Sequence, residues 1–209
     1  MKKIVTSIFC ILALSAFNVQ ANPSINELTA GMQVYLQERG NLCLAKNSWP
    51  IDVTQKEIDA GARNAVQMPV LEKIGLVSSS IASVKVRDED AEAVIKVKRY
   101  ELTEEGKKYY LVKPMRNLAS DGSIKVHQGD LCPVKLSLDK VIGWEPAAAH
   151  DGKEIVVTYT YQVDAAPWTH NPEVQKVFPA VAYVVRGAGT VQMKERYELT
   201  KNGWKAKDL

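Results

Sequence analysis

Histidine is the side chain best placed to move protons near neutral pH, and this 209-residue chain has three: His127, His150 and His170. Asp164 ends the alternating stretch Tyr159-Thr-Tyr-Gln-Val-Asp164, and Pro167 follows it. A bend at Pro167 would bring Asp164 toward His170. A histidine oriented by a carboxylate is a general base, and a hydroxyl such as Thr169 or Ser137 would be its nucleophile. This constellation would make a small hydrolase. Histidines on surface loops account for the same pattern more simply, His150-Asp151 among them. No nucleophile elbow, zinc-protease helix, phosphate loop or calcium loop is written in the chain. No cofactor or metal is therefore expected, and a non-catalytic role is the first expectation.

The aromatic residues beside that pair carry a second possibility. Tyr159, Tyr161 and Trp168 lie on a strand and the loop leading to a helix capped by Asn171 and started by Pro172. Loops between regular elements often carry binding residues, and Tyr and Trp are common anchors. These three are the candidate recognition surface, with core packing as the competing reading. Trp49 and Trp144 each follow a cysteine by a few residues and are expected to pack around it.

The cysteines bear on compartment. Lys2 and Lys3 precede the apolar run Ile4 to Phe17, and Val19 and Ala21 stand where a signal peptidase takes small side chains. Residues 1–21 are therefore expected to be a cleaved signal peptide, which points to export, with the Gram-negative periplasm as the first guess. Cys43 and Cys132 remain after cleavage. In an oxidising compartment they are expected to pair, which would stabilise the fold by roughly 4 kcal/mol. Beyond residue 21 the longest apolar run, Val177 to Val185, is too short to cross a bilayer and contains Pro179. A soluble mature chain is expected. Without Lys2 and Lys3 the basic residues number 25 against 24 acidic ones. That balance is not the footprint of a nucleic-acid binder. The cations of Lys96 to Arg99 and Lys107-Lys108 alternate along strands or sit at turns, and form at most a basic ridge for an anionic envelope component.

Two phrases recur in order. Arg99-Tyr-Glu-Leu-Thr-Glu-Glu-Gly-Lys-Lys108 matches Arg196-Tyr-Glu-Leu-Thr-Lys-Asn-Gly-Trp-Lys205 at seven of ten positions. Upstream, Leu42-Cys-Leu-Ala-Lys46 matches Leu131-Cys-Pro-Val-Lys135. The spacing from cysteine to tyrosine is 57 residues in one copy and 65 in the other, and Glu145 to Lys153 accommodates the excess as a loop. The order of the matches suggests an internal duplication. Each phrase reads as a strand and a turn, with Gly106 and Gly203 supplying positive φ.

The elements that must position these residues follow from periodicity. Ser24 with Glu27, and Thr54 with Glu57, are capping-box patterns. Helices are expected from each, the second broken at Pro69 and followed by a short third helix that stops at Gly75. Strands are expected over Val77 to Arg87, Ala93 to Thr103, Val134 to Ile142 and Ile155 to Val163. Val181 to Arg186 and Thr190 to Thr200 read as a hairpin about Gly187-Ala-Gly189. Leu71-Glu-Lys-Ile-Gly-Leu-Val77, followed by Tyr100-Glu-Leu-Thr-Glu-Glu-Gly106, resembles the phrase joining recognition helix to wing in winged-helix regulators. The resemblance covers about 50 residues and implies a topology. It does not imply DNA binding, because Ala65 to Ile74 holds one cation, Lys73, and the leader directs export.

The expectation is thus an α+β protein of two related halves, 22–120 and 121–209, each with helices on a small antiparallel sheet. The first is winged-helix-like, and a Cys43–Cys132 bridge joins the two. The expected role is a non-catalytic envelope protein that binds another protein or an envelope ligand. The alternatives are the His170/Asp164 hydrolase and an accessory subunit of an envelope complex.

Overall fold

The computed structural model describes residues 22–88, 91–118, 122–147 and 153–209. The expected signal peptide and His150-Asp151 lie outside the described residues. Helix α1 (Ile25–Arg39) starts where Ser24 Oγ accepts the Glu27 amide. Leu28, Met32 and Leu36 recur at helical spacing and are buried. The short strands β1 (Asn41–Leu42) and β2 (Ile51–Thr54) follow. Thr54 and Glu57 then form a complete capping box opening α2 (Gln55–Asp59). Gly61, at φ 61°, reverses the chain into α3 (Arg63–Lys73). The helix break expected at Pro69 falls at Gly61 instead. The fixed φ of Pro69 suits a helix, and α3 continues through it despite the lost bond to the carbonyl four residues earlier and the crowding of that carbonyl by the ring.

Strands β3 (Val77–Asp88) and β4 (Ala91–Leu102) form a hairpin. The single turn α4 (Glu104–Lys107) comes next, capped by Thr103. Gly106 therefore has helical backbone and not the expected positive φ. Its lack of a side chain serves close packing, since a Cβ there would stand 2.0 Å from the Leu76 carbonyl oxygen. Four short strands, β5 (Tyr110–Leu111), β6 (Met115–Leu118), β7 (Ile124–His127) and β8 (Asp130–Leu131), lead to the long hairpin β9 (Val134–Pro146) and β10 (Glu154–Ala165). A 3-10 turn at Pro167–His170 precedes α5 (Pro172–Val177) and α6 (Pro179–Gly187), and β11 (Met193–Thr200) and β12 (Gly203–Ala206) end the fold.

The expected strand at Val181 to Arg186 is thus helix α6. Pro179 occupies its first position, and Val181, Ala182, Val184 and Val185 make a helical apolar face that is buried. In so short an apolar run, β-branched residues do not separate strand from helix.

The fold is α+β with antiparallel sheets. Five strands run in the order β1-β9-β10-β11-β12, and three in the order β2-β4-β3. Strands β5 with β8, and β6 with β7, make two-stranded pairs. One buried cluster runs through both larger sheets and includes Tyr100 and Tyr197, the tyrosines of the repeated phrase. After Tyr100 the chain enters α4, whereas after Tyr197 it turns tightly into β12. Helix α1 packs on β9 and β12. Glu27 Oε1 accepts the Trp204 amide at 3.4 Å, and Arg39 donates to the Asp208 carbonyl at 2.7 Å.

Candidate functional site

The residues singled out in the sequence separate into two groups. Tyr159 and Tyr161 are core residues. They are two apart on β10 and so share one face, which is the buried one. The Tyr161 hydroxyl donates to the Val184 carbonyl at 3.0 Å. Burial, and then the nearby Glu195 carboxylate, push the Tyr159 phenol up to about 12. Trp168 is half-buried and meets Tyr109 edge-on at 5.6 Å. Of the three residues expected to form a recognition surface, Tyr159 and Tyr161 lie in the core and Trp168 stays half-buried. His170 and Asp164 are both exposed, and no hydrogen bond or ion pair joins them.

Around the disulfide the structure gathers what the sequence did not. Cys43 and Cys132 are bonded. Beside them the Leu44 amide donates to the Leu131 carbonyl at 2.9 Å. The Asp130 carboxylate accepts the amides of Lys46 and Leu131, each at 2.7 Å. His127 Nε2 lies 3.6 Å from the other Asp130 oxygen. The Lys46 ammonium is buried and donates to Asn64 Oδ1 at 2.8 Å and Gln67 Oε1 at 2.7 Å. Burial first, and the charge of Arg63 second, lower its pKa to about 8, against the pull of Asp130. Lys135 holds the matching place in the second phrase, and it caps the carbonyls of Leu36 and Gln37 at the end of α1.

A cavity of about 670 Å³ opens beside this junction, with Glu38, Arg39, Cys43, Lys113 and Asp130 in its wall. Its cations are already engaged. Arg39 bonds the Asp208 carbonyl, and Lys113 bonds the Glu38 carbonyl at 3.3 Å with its carboxylate 4.0 Å away. Among the described residues no three His, Cys, Asp or Glu side chains gather as a metal site requires. Also among them, no helix is long and apolar enough to cross a membrane.

An accessible feature is the β3–β4 ribbon. Its pairing runs without a register shift from Val77↔Leu102 to Asp88↔Ala91. Strand β2 covers β4 only from Val97 to Tyr100. Beyond that, among the described residues, the ribbon is two strands wide with both edges open. Ile81 and Val94 are 72% and 67% exposed on it.

Strand β9 offers the contrasting edge. Strand β1 covers it only at Val134 and Lys135. The rest of its edge is broken by two register shifts, which leave Ile142 and Asp139 as extra residues opposite β10. Asp139 is held there by Thr160 Oγ1 at 2.7 Å and Gln162 Nε2 at 3.1 Å. Bulges and inserted charge are the usual means of blocking strand addition. The β3–β4 ribbon has no bulge along its paired length, and the charges it does carry include the exposed Lys85 and Lys96.

The basic ridge expected from Lys96 to Arg99 and Lys107-Lys108 is mostly neutralised. Lys98 pairs with Glu72 at 2.9 Å and Arg99 with Asp52 at 2.7 Å. Lys107 pairs with Glu104, and Lys108 with Glu105. The ribbon did leave a sequence signal. Ala82, Val84 and Val86 keep one strand parity, and Ile81 breaks it, so both faces carry aliphatic side chains. The burial of Lys46 left none, because its acceptors arrive from α3. Comparison with known proteins returns no match: no family model, no curated protein and no solved structure aligns significantly with the chain.

Proposed function

We propose that this chain is an exported, non-catalytic binding protein of the bacterial envelope, and that it contacts another protein through the β3–β4 ribbon. The observation that carries this reading is the contrast, in one molecule, between a regular, unbulged ribbon and a β9 edge broken by two bulges. An exposed regular strand edge is a liability unless something pairs with it, and strand addition is a common mode of partner recognition. The disulfide supports an oxidising compartment such as the periplasm. The lysine-headed apolar segment of residues 1–21 supports cleavage and export.

The order β2-α2-α3-β3-β4, with β4 central, supports a winged-helix-like reading of the first half, in which the ribbon is the wing. Duplication is supported by the repeated phrases and by the burial of Tyr100 and Tyr197 in one core. The different turns after each tyrosine make the second copy a divergent one.

The test is photo-crosslinking in intact cells, with a photoreactive residue replacing Ile81 or Val94 and, as control, the exposed Tyr183. Discrete adducts from both ribbon positions and none from position 183 are expected. Absence of ribbon adducts, or equal labelling at all three positions, overturns the reading.

A further inference from the structure

We infer that the ribbon partner presents an extended acidic segment, carboxylates alternating with aliphatic side chains, which adds as a strand along the open edge of β3. This rests on the ribbon being the contact surface and specifies what binds it.

The argument starts from which side chains share a face. The register sets Ile81 opposite Lys98, Ser83 opposite Lys96, and Lys85 opposite Val94. Side chains alternate along a strand, so Ile81, Ser83, Lys85, Val94, Lys96 and Lys98 lie on one face. At its base Lys98 is neutralised by Glu72, on α3. Lys85 and Lys96, further out, are exposed, and among the described residues neither has an ion-pair partner. They are diagonal neighbours, close enough for side chains to interact. The free part of this face is thus two unmatched ammoniums between two exposed aliphatic side chains, Ile81 and Val94.

A strand laid beside β3 would set its own side chains across from Ile81, Ser83 and Lys85. Carboxylates there would meet the ammoniums, and aliphatic residues would extend the patch. Opposite charges across a strand pair stabilise it and like charges oppose it.

Two other occupants fit less well. An anionic bilayer would satisfy the lysines but leave the amides and carbonyls of the open edge unbonded in hydrocarbon, which is costly. A second copy joined through β3 would add the same two lysines to the face again.

The experiment uses the disulfide-bonded chain without residues 1–21. A fluorescent peptide alternating Glu and Val is titrated and followed by anisotropy. A Lys–Val peptide, a backbone N-methylated Glu–Val peptide, and vesicles of phosphatidylglycerol and phosphatidylcholine are run beside it. The Glu–Val peptide should bind at least about tenfold more tightly than the Lys–Val peptide. N-methylation should abolish binding, because it removes the strand's donors. The double variant Lys85→Glu/Lys96→Glu, with circular dichroism confirming its fold, should reverse the order of the two charged peptides.

Equal binding of the charged peptides, indifference to N-methylation, or binding to vesicles but not peptide each overturns the inference. If crosslinks form at positions 81 and 94 while no acidic peptide binds, the specified partner is wrong and the functional reading survives. If the crosslinks fail as well, both fall.

Discussion

The backbone amide of Lys46 donates to the carboxylate of Asp130 at 2.7 Å, across 84 residues of chain. The same oxygen takes the Leu131 amide, so one buried carboxylate ties together the two segments that the disulfide joins. Removing it strands two amides in the interior. Asp130→Ala should cost about 2–4 kcal/mol, and Asp130→Asn, which keeps an acceptor, about half as much. Urea unfolding of the oxidised protein measures both. Equal and negligible losses would show that the carboxylate is dispensable.

Lys46 should make stability depend on pH. Its folded pKa, about 8, lies below the ordinary lysine value near 10.5. Above the ordinary value both states are neutral and burial carries no charge penalty. As pH falls toward 8 the unfolded chain takes up the proton first, and stability drops. Below 8 the penalty is complete. Wild-type stability should therefore rise by about 1–3 kcal/mol between pH 8 and 10.5 through this group. Lys46→Met should lack that rise. Denaturant titrations of both proteins across the window decide it, and parallel pH curves would contradict the assignment.

The disulfide closes a sequence separation of 89 residues. Its loss should cost about 4 kcal/mol. Cys43→Ser/Cys132→Ser should unfold at lower urea than the wild type, and reductant should shift the wild type to meet it. Mass spectrometry of the non-reduced protein should read two protons fewer than after reduction.

Gly106 gives a purely steric prediction. A methyl group at 2.0 Å from the Leu76 carbonyl cannot be accommodated without moving backbone. Gly106→Ala should destabilise by about 2–4 kcal/mol. Gly143 has nothing within 4 Å of its Cβ direction, so Gly143→Ala should change stability by less than about 1 kcal/mol. Thermal unfolding of the two variants compares them directly.

How much of this was legible depended on how local the cause was. Helix α1 was readable because its cap and its Leu28-Met32-Leu36 stripe are properties of neighbouring residues. The Thr54–Glu57 box was readable for the same reason. The disulfide needed only compartment and an even count of cysteines. Helix α6 is not legible because Ala180 to Val185 satisfies both periods over so short a run. Tyr159 and Tyr161 were placed on a strand correctly, but alternation does not tell which face is inward. Their burial depends on Val184 and Met193, which arrive from later elements. Gly106 looked like a turn glycine, and only the approach of Leu76 explains it. The ribbon's two long strands were visible in the sequence, whereas the shortness of β2 beside them was not. That shortness is what leaves the ribbon uncovered.

The contact between α1 and β12 has a consequence in time. The first helix lies against the last strand, with Glu27 reaching Trp204 and Arg39 reaching Asp208. As the chain is made, β9 covers part of the α1 stripe first, and the rest stays uncovered until β12 is delivered. Contacts between elements this distant in sequence form slowly. A nascent chain halted just before Gly203 would lack the cover that β12 gives α1, leaving that side of the helix open to chaperones and proteases.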